Sequence, residues 1–112
     1  MENINLYQLM CQKTARYPKT NALAYLITCL TEEVGEAARL YKLALEGEKV
    51  SIDSWIEEFG DIHWILSELE RHFYVQPSYV LEKNILKLRE RYDREDKARE
   101  AKHNAENQEK IG

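Results

Sequence analysis

The sequence predicts an all-α protein: a four-helix bundle-like fold of antiparallel helices, completed by oligomerisation. Three observations predict it. Only four Gly and two Pro interrupt 112 residues, too few for the frequent tight turns of a sheet protein. Charged residues make up 32% of the chain and hydrophobic ones 44%, which suits solvated helices around a modest core. Apolar residues also recur at steps of three and four over two long stretches, the spacing of one helix face. The length fits one domain, placed at residues 1–92, with a charged extension or tail at 93–112.

The elements follow in order. A first helix spans residues 4–16 and ends before Pro18, which disfavours helix at the residue preceding it. A second spans 21–46 and stops at Gly47, a natural C-terminal glycine. After the polar loop GEKVS a third begins at Asp53 or Ser54, where Ser54 and Glu57 have the spacing of a capping box, and runs to residue 73. Gln76-Pro77-Ser78 punctuates the chain, and a fourth helix runs from 78 past Tyr92. From Asp93 the segment DREDKAREAKHNAENQEKIG loses its apolar stripe, so a solvated helix fraying into a flexible tail is expected. Short connections between long helices make sequential helices antiparallel neighbours.

Composition excludes several functions. With a net charge of −4 and no basic stripe, nucleic acid is not an expected partner. No apolar run approaches a membrane span, and MENINLYQLM lacks the basic start and apolar core of a signal peptide, so a cytoplasmic location is expected. Cys11 and Cys29 sit among apolar neighbours without metal-ligand spacing, and are expected as reduced, packed thiols.

The chemistry lies in two similar stretches, EEVGE at 32–36 and EEFGD at 57–61. Glycine inside a helix costs about 1 kcal/mol against alanine, and clustered acids repel, so the repetition points to a shared purpose. The expected core stripe of the second helix is Leu23, Leu26 or Ile27, Leu30, Val34, Ala37 and Tyr41. That of the third is Trp55, Phe59, Ile62, Leu66, Leu69 and Phe73. Glu33, Glu36, Glu58 and Asp61 each precede a stripe residue by one position, about 100° of rotation. Antiparallel packing can therefore bring both pairs to one edge of the core. Carboxylates gathered there need protons or cations, and an oxygen-only set suits Mg²⁺, with Mn²⁺ as a substitute. Gly35 and Gly60, one inside each pair, would let helices, metal or phosphates approach closely. A single E-x-x-E is ordinarily a solvated helix face; two in matched register, each with its glycine, argue for one site.

These residues resemble the MazG-like nucleoside triphosphate pyrophosphohydrolases, an all-α superfamily marked by E-x-x-E followed, after a spacer, by E-x-x-D. Here Glu33-Val-Gly-Glu36 and Glu58-Phe-Gly-Asp61 are separated by 21 residues. ARYPKTNALAYLITCLTEEVGEAARLYK is similar to the first half of short phage-type members, EEFGDIHWILSEL to their acidic third helix, and NILKLRERYDRED to their closing N-x-x-K-L-x-x-R element. The similarity covers roughly residues 7–95; His63 departs from it, standing where an aliphatic residue is usual, and is expected to be packed or at an interface. The resemblance implies Mg²⁺-dependent conversion of (d)NTP to (d)NMP and pyrophosphate, favouring deoxynucleotides, in house-cleaning of the nucleotide pool. It implies metal ligation by Glu33, Glu36, Glu58 and Asp61. Proton transfer falls to Glu32, Glu33 or Glu36, a choice the sequence leaves open. Asn84, Lys87 and Arg91 are expected to bind phosphate or sugar, with Lys42 a weaker candidate, and the subunits to form a homodimer or homotetramer.

Base recognition is open among Tyr7, Tyr17, Tyr25, Trp55 and Trp64, most of which helical spacing would place in a core. A di-iron carboxylate bundle is rejected, because its Glu-x-x-His element occurs only as Glu100-Ala-Lys-His103 in the polar tail. Two alternatives stand beside the main reading: a non-catalytic helical interaction module of the same fold, and a phosphoribosyl-ATP pyrophosphohydrolase.

Overall fold

In a computed structural model that describes residues 3–111, the chain forms α1 (Ile4–Lys13), α2 (Ala22–Leu45), α3 (Ile52–His72) and α4 (Pro77–Ile111). The all-α class is as expected: among the described residues there is no strand, and no helix is long and apolar enough to cross a membrane. Two compact units divide the chain, one extending to Ser78 and one from Tyr79.

Each helix end has a local cause. Asn3 caps α1, its side-chain oxygen accepting from the Asn5 N–H at 2.9 Å. α1 stops at Lys13, three residues short of the expected end, because Thr14 turns back and donates its hydroxyl to the Cys11 carbonyl at 2.9 Å. Asn21 precedes α2 in the left-handed region, φ 58° and ψ 36°, which asparagine tolerates better than most residues. α2 ends in a Schellman motif: Gly47, at φ 88°, donates to the Ala44 carbonyl and Glu48 to that of Leu43, both at 3.1 Å. The cap of α3 is Ser51, one turn before the expected capping box, and its hydroxyl accepts from the Ser54 N–H at 3.2 Å. α3 closes in a second Schellman motif, with Val75 donating to Glu70 at 2.9 Å and Tyr74 to Arg71 at 3.0 Å. Here the left-handed position, φ 58°, is held by Tyr74, whose side chain is 97% exposed.

Pro77 occupies the first position of α4, where its missing N–H is no loss. The next N–H, of Ser78, donates to Asn5 Oδ1 at 3.0 Å, and Asn5 Nδ2 donates to the Ser78 hydroxyl at 2.8 Å. A side chain of α1 thus caps α4. In the second unit α4 is one continuous helix to Ile111. Charge pairs at helical spacing, such as Arg91–Glu95 at 3.3 Å, suit a solvated helix.

Within the first unit α3 is central, packing on both α2 and α1. Glu33 meets Glu58 and Asp61, while Gln8 meets Ser67 and Thr14 meets Trp64, so both neighbours run antiparallel to α3. Leu26, Ala22, Cys11 and Ile65 are buried at the contact. Gln8 is buried too, its amide donating to the carbonyls of Ser67 at 3.3 Å and Val75 at 3.0 Å. The expected core stripes are corrected: Leu23, Val34 and Tyr41 of α2, and Phe59, Leu66 and Phe73 of α3, are exposed. Leu26, Leu30, Ala37 and Ile62 stay in the seam as expected, but its centre is displaced toward the acids by part of the 100° that separates neighbouring positions, so it runs through Leu26, Leu30, Glu33 and Ala37 against Glu58, Ile62, Ile65 and Glu68.

Glu68 is wholly buried and compensated on every side. Arg71 donates Nε to Oε2 at 3.0 Å and Nη2 to Oε1 at 2.9 Å. Tyr17 donates its hydroxyl to Oε1 at 2.8 Å, accepts from Arg71 at 3.1 Å, and lies 2.6 Å from His72 Nε2. Burial pushes the Glu68 carboxyl up, but its bonds to Arg71 and Tyr17 outweigh burial and hold it below the usual carboxylate range. Burial, then Glu68, pushes the Tyr17 phenol up to about 12.

Two stability predictions follow from this local chemistry. Arg71→Met leaves a buried carboxylate without its cation and should lose about 3–5 kcal/mol in urea unfolding. A depressed carboxyl contributes stability above its unfolded range and loses it as pH falls through the depressed value, so wild type should weaken in acid along that limb and the variant should not. Tyr74→Gly should gain roughly 1 kcal/mol, because glycine adopts the left-handed cap without strain and the tyrosine side chain is solvated.

Candidate metal centre

The displacement of the seam moves Glu33 and Glu58 from its flank into it. Glu33 projects from α2, and Glu58 and Asp61, one turn apart, from α3; one carboxylate oxygen of each lies within 4.8 Å of the others. That compares with about 4.2 Å between opposite oxygens around Mg²⁺ with bonds near 2.1 Å. Glu33 and Glu58 are half-buried and Asp61 is exposed. Burial pushes the Glu33 carboxyl up, and the charges of Asp61, Glu58 and Glu36 push it the same way. Oε2 of Glu58 is buried without a hydrogen-bond partner. A buried oxygen of this kind is costly to leave unmatched, and an all-oxygen donor set with one orphaned atom fits a hard divalent cation.

The remaining expected residues are placed differently. Glu36 faces outward, its carboxylate 54% exposed and 3.9 Å from Arg39, so three of the four acids gather. Glu32 is exposed on α2 beside Glu33, and Lys42 is exposed near the end of that helix. Asn84, Lys87 and Arg91 lie on α4 in the second unit, exposed and at the spacing of one face, with Arg91 paired to Glu95. His63 is exposed on α3.

The glycines do not bring the helices together. A Cβ at Gly35 or Gly60 would meet nothing within 4 Å, so the intramolecular packing does not need either one. Gly35→Ala and Gly60→Ala should each raise stability by about 1 kcal/mol in chemical unfolding. A gain in stability accompanied by loss of Mn²⁺ binding, read by calorimetry, would show that the open space serves the ion rather than the fold.

Beside the acids lies a cavity of ≈ 380 Å³ with two unlike walls. Glu33 and Asp61 form one; Tyr17, Tyr25 and Trp64 form another, and Arg16 also borders it. Tyr17 stacks on Tyr25 at 5.9 Å and meets Trp64 edge-on at 6.2 Å. Trp55 instead packs on Phe59 at 6.0 Å, and Tyr7 is pushed up to about 12 by burial first, with Cys11 and Asp61 adding to it. Sequence reasoning listed these aromatics without ranking them; the available signal was that Tyr17 and Tyr25 flank the turn entering α2.

No family model matches the chain, and no solved structure matches it. The Gene 37 protein of Mycobacterium phage L5 is 30% identical over 103 residues, covering 82% of this chain and 90% of that protein. At that identity and coverage, the chain belongs to the family of the phage L5 Gene 37 protein.

Proposed function

We propose that the chain is a divalent-metal-dependent nucleoside triphosphate pyrophosphohydrolase of the MazG-like kind. It would convert deoxynucleoside triphosphates to monophosphates and pyrophosphate in the upkeep of the nucleotide pool. The observation that supports this most directly is the convergence of Glu33, Glu58 and Asp61 across two helices, with one Glu58 oxygen buried and unmatched. Mg²⁺ or Mn²⁺ bound there would neutralise triphosphate charge and acidify a water. In the reaction the water oxygen bonds to the α-phosphorus, the α–β anhydride bond breaks, and pyrophosphate leaves.

The chain's own groups have distinct tasks. Glu33, which stands in the acid cluster itself, would accept the proton released by the attacking water. Glu36 and Glu32, more exposed, stand within the same turn as alternative acceptors. Lys87 and Arg91, one turn apart on α4, supply charged donors suited to phosphate oxygens, and Asn84 a neutral one.

Pyrophosphate release from a panel of ribo- and deoxynucleoside triphosphates and phosphoribosyl-ATP, with Mg²⁺ and with EDTA, tests this reading. Wild type should release pyrophosphate only with metal, and Glu58→Gln should lose at least ~100-fold. Release of single phosphate, or turnover unaffected by EDTA, would sink the mechanism. Preference for phosphoribosyl-ATP would reassign the substrate, and absence of any turnover in folded protein would favour an interaction module.

The assembly is part of the same proposal. Leu23, Ile27, Val34 and Tyr41 of α2, with Phe59, Leu66 and Phe73 of α3, are 37% to 63% exposed, a large apolar set for a soluble surface. A second copy is the simplest cover. Sedimentation should give two or four times the 13.3 kDa chain mass, and Phe59→Asp should shift the population toward monomer.

A further inference from the structure

Charge is one-sided over the first third of the chain. From Asn3 to Thr31 there is no acid, and the cations Lys13, Arg16 and Lys19 all fall at or near the connection between α1 and α2. At Glu32 the sign reverses, with Glu33 and Glu36 following. In a chain of net charge −4, a basic connection thus leads into the acidic helix contact. Arg16 is where the two meet, because it borders the same cavity as Glu33 and Asp61.

The backbone that carries Arg16 is fixed on both sides. Thr14 donates its hydroxyl to the Cys11 carbonyl and accepts from the Trp64 indole N–H at 2.8 Å. The Tyr17 hydroxyl donates to Glu68 and accepts from Arg71, and Pro18 restricts one more backbone angle. Between these anchors the Arg16 side chain is exposed, and none of the ion pairs among the described residues includes it. A guanidinium and a carboxylate match fork to fork and readily pair when they can reach. Here opposite charges border one cavity of ≈ 380 Å³ without meeting.

A charge series of alternating sign fills such a gap. Carboxylates hold a divalent cation, the cation binds phosphate oxygens, and a guanidinium binds the oxygens beyond, so every neighbour attracts the next. We propose that Arg16 is a phosphate-binding residue that holds the departing pyrophosphate of the substrate from the α1–α2 connection. This rests on the nucleotide reading above. Glu33 and the cation then serve the attacking water at the α-phosphorus, and the β- and γ-phosphates are left for Arg16. As the α–β anhydride bond breaks, its electron pair passes to the oxygen that leaves with pyrophosphate, and a guanidinium fork on that group stabilises the growing charge. The first unit, which extends to Ser78, thereby has a phosphate cation of its own in addition to Lys87 and Arg91 of the second.

Calorimetric titration with inorganic pyrophosphate and tripolyphosphate, in saturating Mn²⁺, tests this without turnover. Wild type should bind both anions, and Arg16→Gln should weaken each by about 10- to 100-fold, the worth of a hydrogen bond to a charged group. Arg16→Lys, which keeps the charge and loses the fork, should recover part of the loss. Arg99→Gln, at an exposed arginine of α4, should change nothing. Mn²⁺ binding in the absence of anion should be the same in Arg16→Gln as in wild type, whereas Glu58→Gln should lose cation and anions together. In turnover of deoxynucleoside triphosphates, inhibition by pyrophosphate should weaken in Arg16→Gln by the factor that calorimetry gives. Undiminished anion binding in Arg16→Gln, or an equal loss in Arg99→Gln, would overturn the role of Arg16 while leaving the hydrolase reading intact. If wild type binds Mn²⁺ but neither anion nor any nucleotide, the hydrolase reading fails and the role of Arg16 fails with it.

Discussion

A single buried carboxylate organises the first unit. Glu68 has no exposed surface, and a charge so placed is tolerated only with full compensation. Two of its partners come from very different points in the chain: Arg71, one turn on, and Tyr17, from the connection between α1 and α2. The second bond fixes an otherwise irregular segment against α3. Because Tyr17 also stacks on Tyr25 and abuts Trp64, it fixes the aromatic wall of the cavity as well. The compensation of one charge thus sets the geometry of the cavity's aromatic wall.

The same seam carries an opposite arrangement about two to three turns away along α3. At Glu68 the helix contact buries an acid together with its cation; at Glu33 and Glu58 it half-buries acids together with more acid. Protein groups neutralise the first cluster. No ion pair among the described side chains neutralises the second, and the Glu33 carboxyl is raised by burial first and by the neighbouring acids after it. Folding free energy spent on gathering like charges is recovered only by a bound cation or proton. The contrast between two clusters in one interface is a stronger argument for a cation than the acidic motif taken alone.

Much of this fold was legible in the sequence, and the failures are instructive. The four helices follow from apolar spacing and from Gly47 and Pro77, signals that act locally. The error in the core stripes arose because α2 and α3 are apolar over more than one face. The expected stripe of α2 held Leu26, Leu30 and Ala37, which stay in the seam, together with Leu23, Val34 and Tyr41, which do not; all six fit a helix period, and periodicity cannot say where across so broad an apolar face the contact is centred. The choice was made by residues that periodicity ranks as surface: buried Glu68 with its distant partner Tyr17, and Gln8 bridging two carbonyls. The acidic quartet was legible as a cluster, but Glu36 turned away with Arg39 because the rotated seam admits one acid of α2.

That rotation links the two unexplained features of the surface. Turning acids inward necessarily turns apolar residues outward on the same helices, since both sets are fixed to one rigid cylinder. The exposed face made by Leu23, Ile27, Val34, Phe59 and Leu66 is therefore the geometric counterpart of the half-buried Glu33 and Glu58. Covering that face with a second copy and neutralising those acids with a cation would remove both costs of the arrangement. Gly35 and Gly60, with open space at the positions of their missing side chains, lie in the same short stretches as the acids. An isolated chain would gain stability from alanine at both glycines and from a conventional core. Open space at both glycines, acids without a cation and an apolar exterior are thus three consequences of one helix packing.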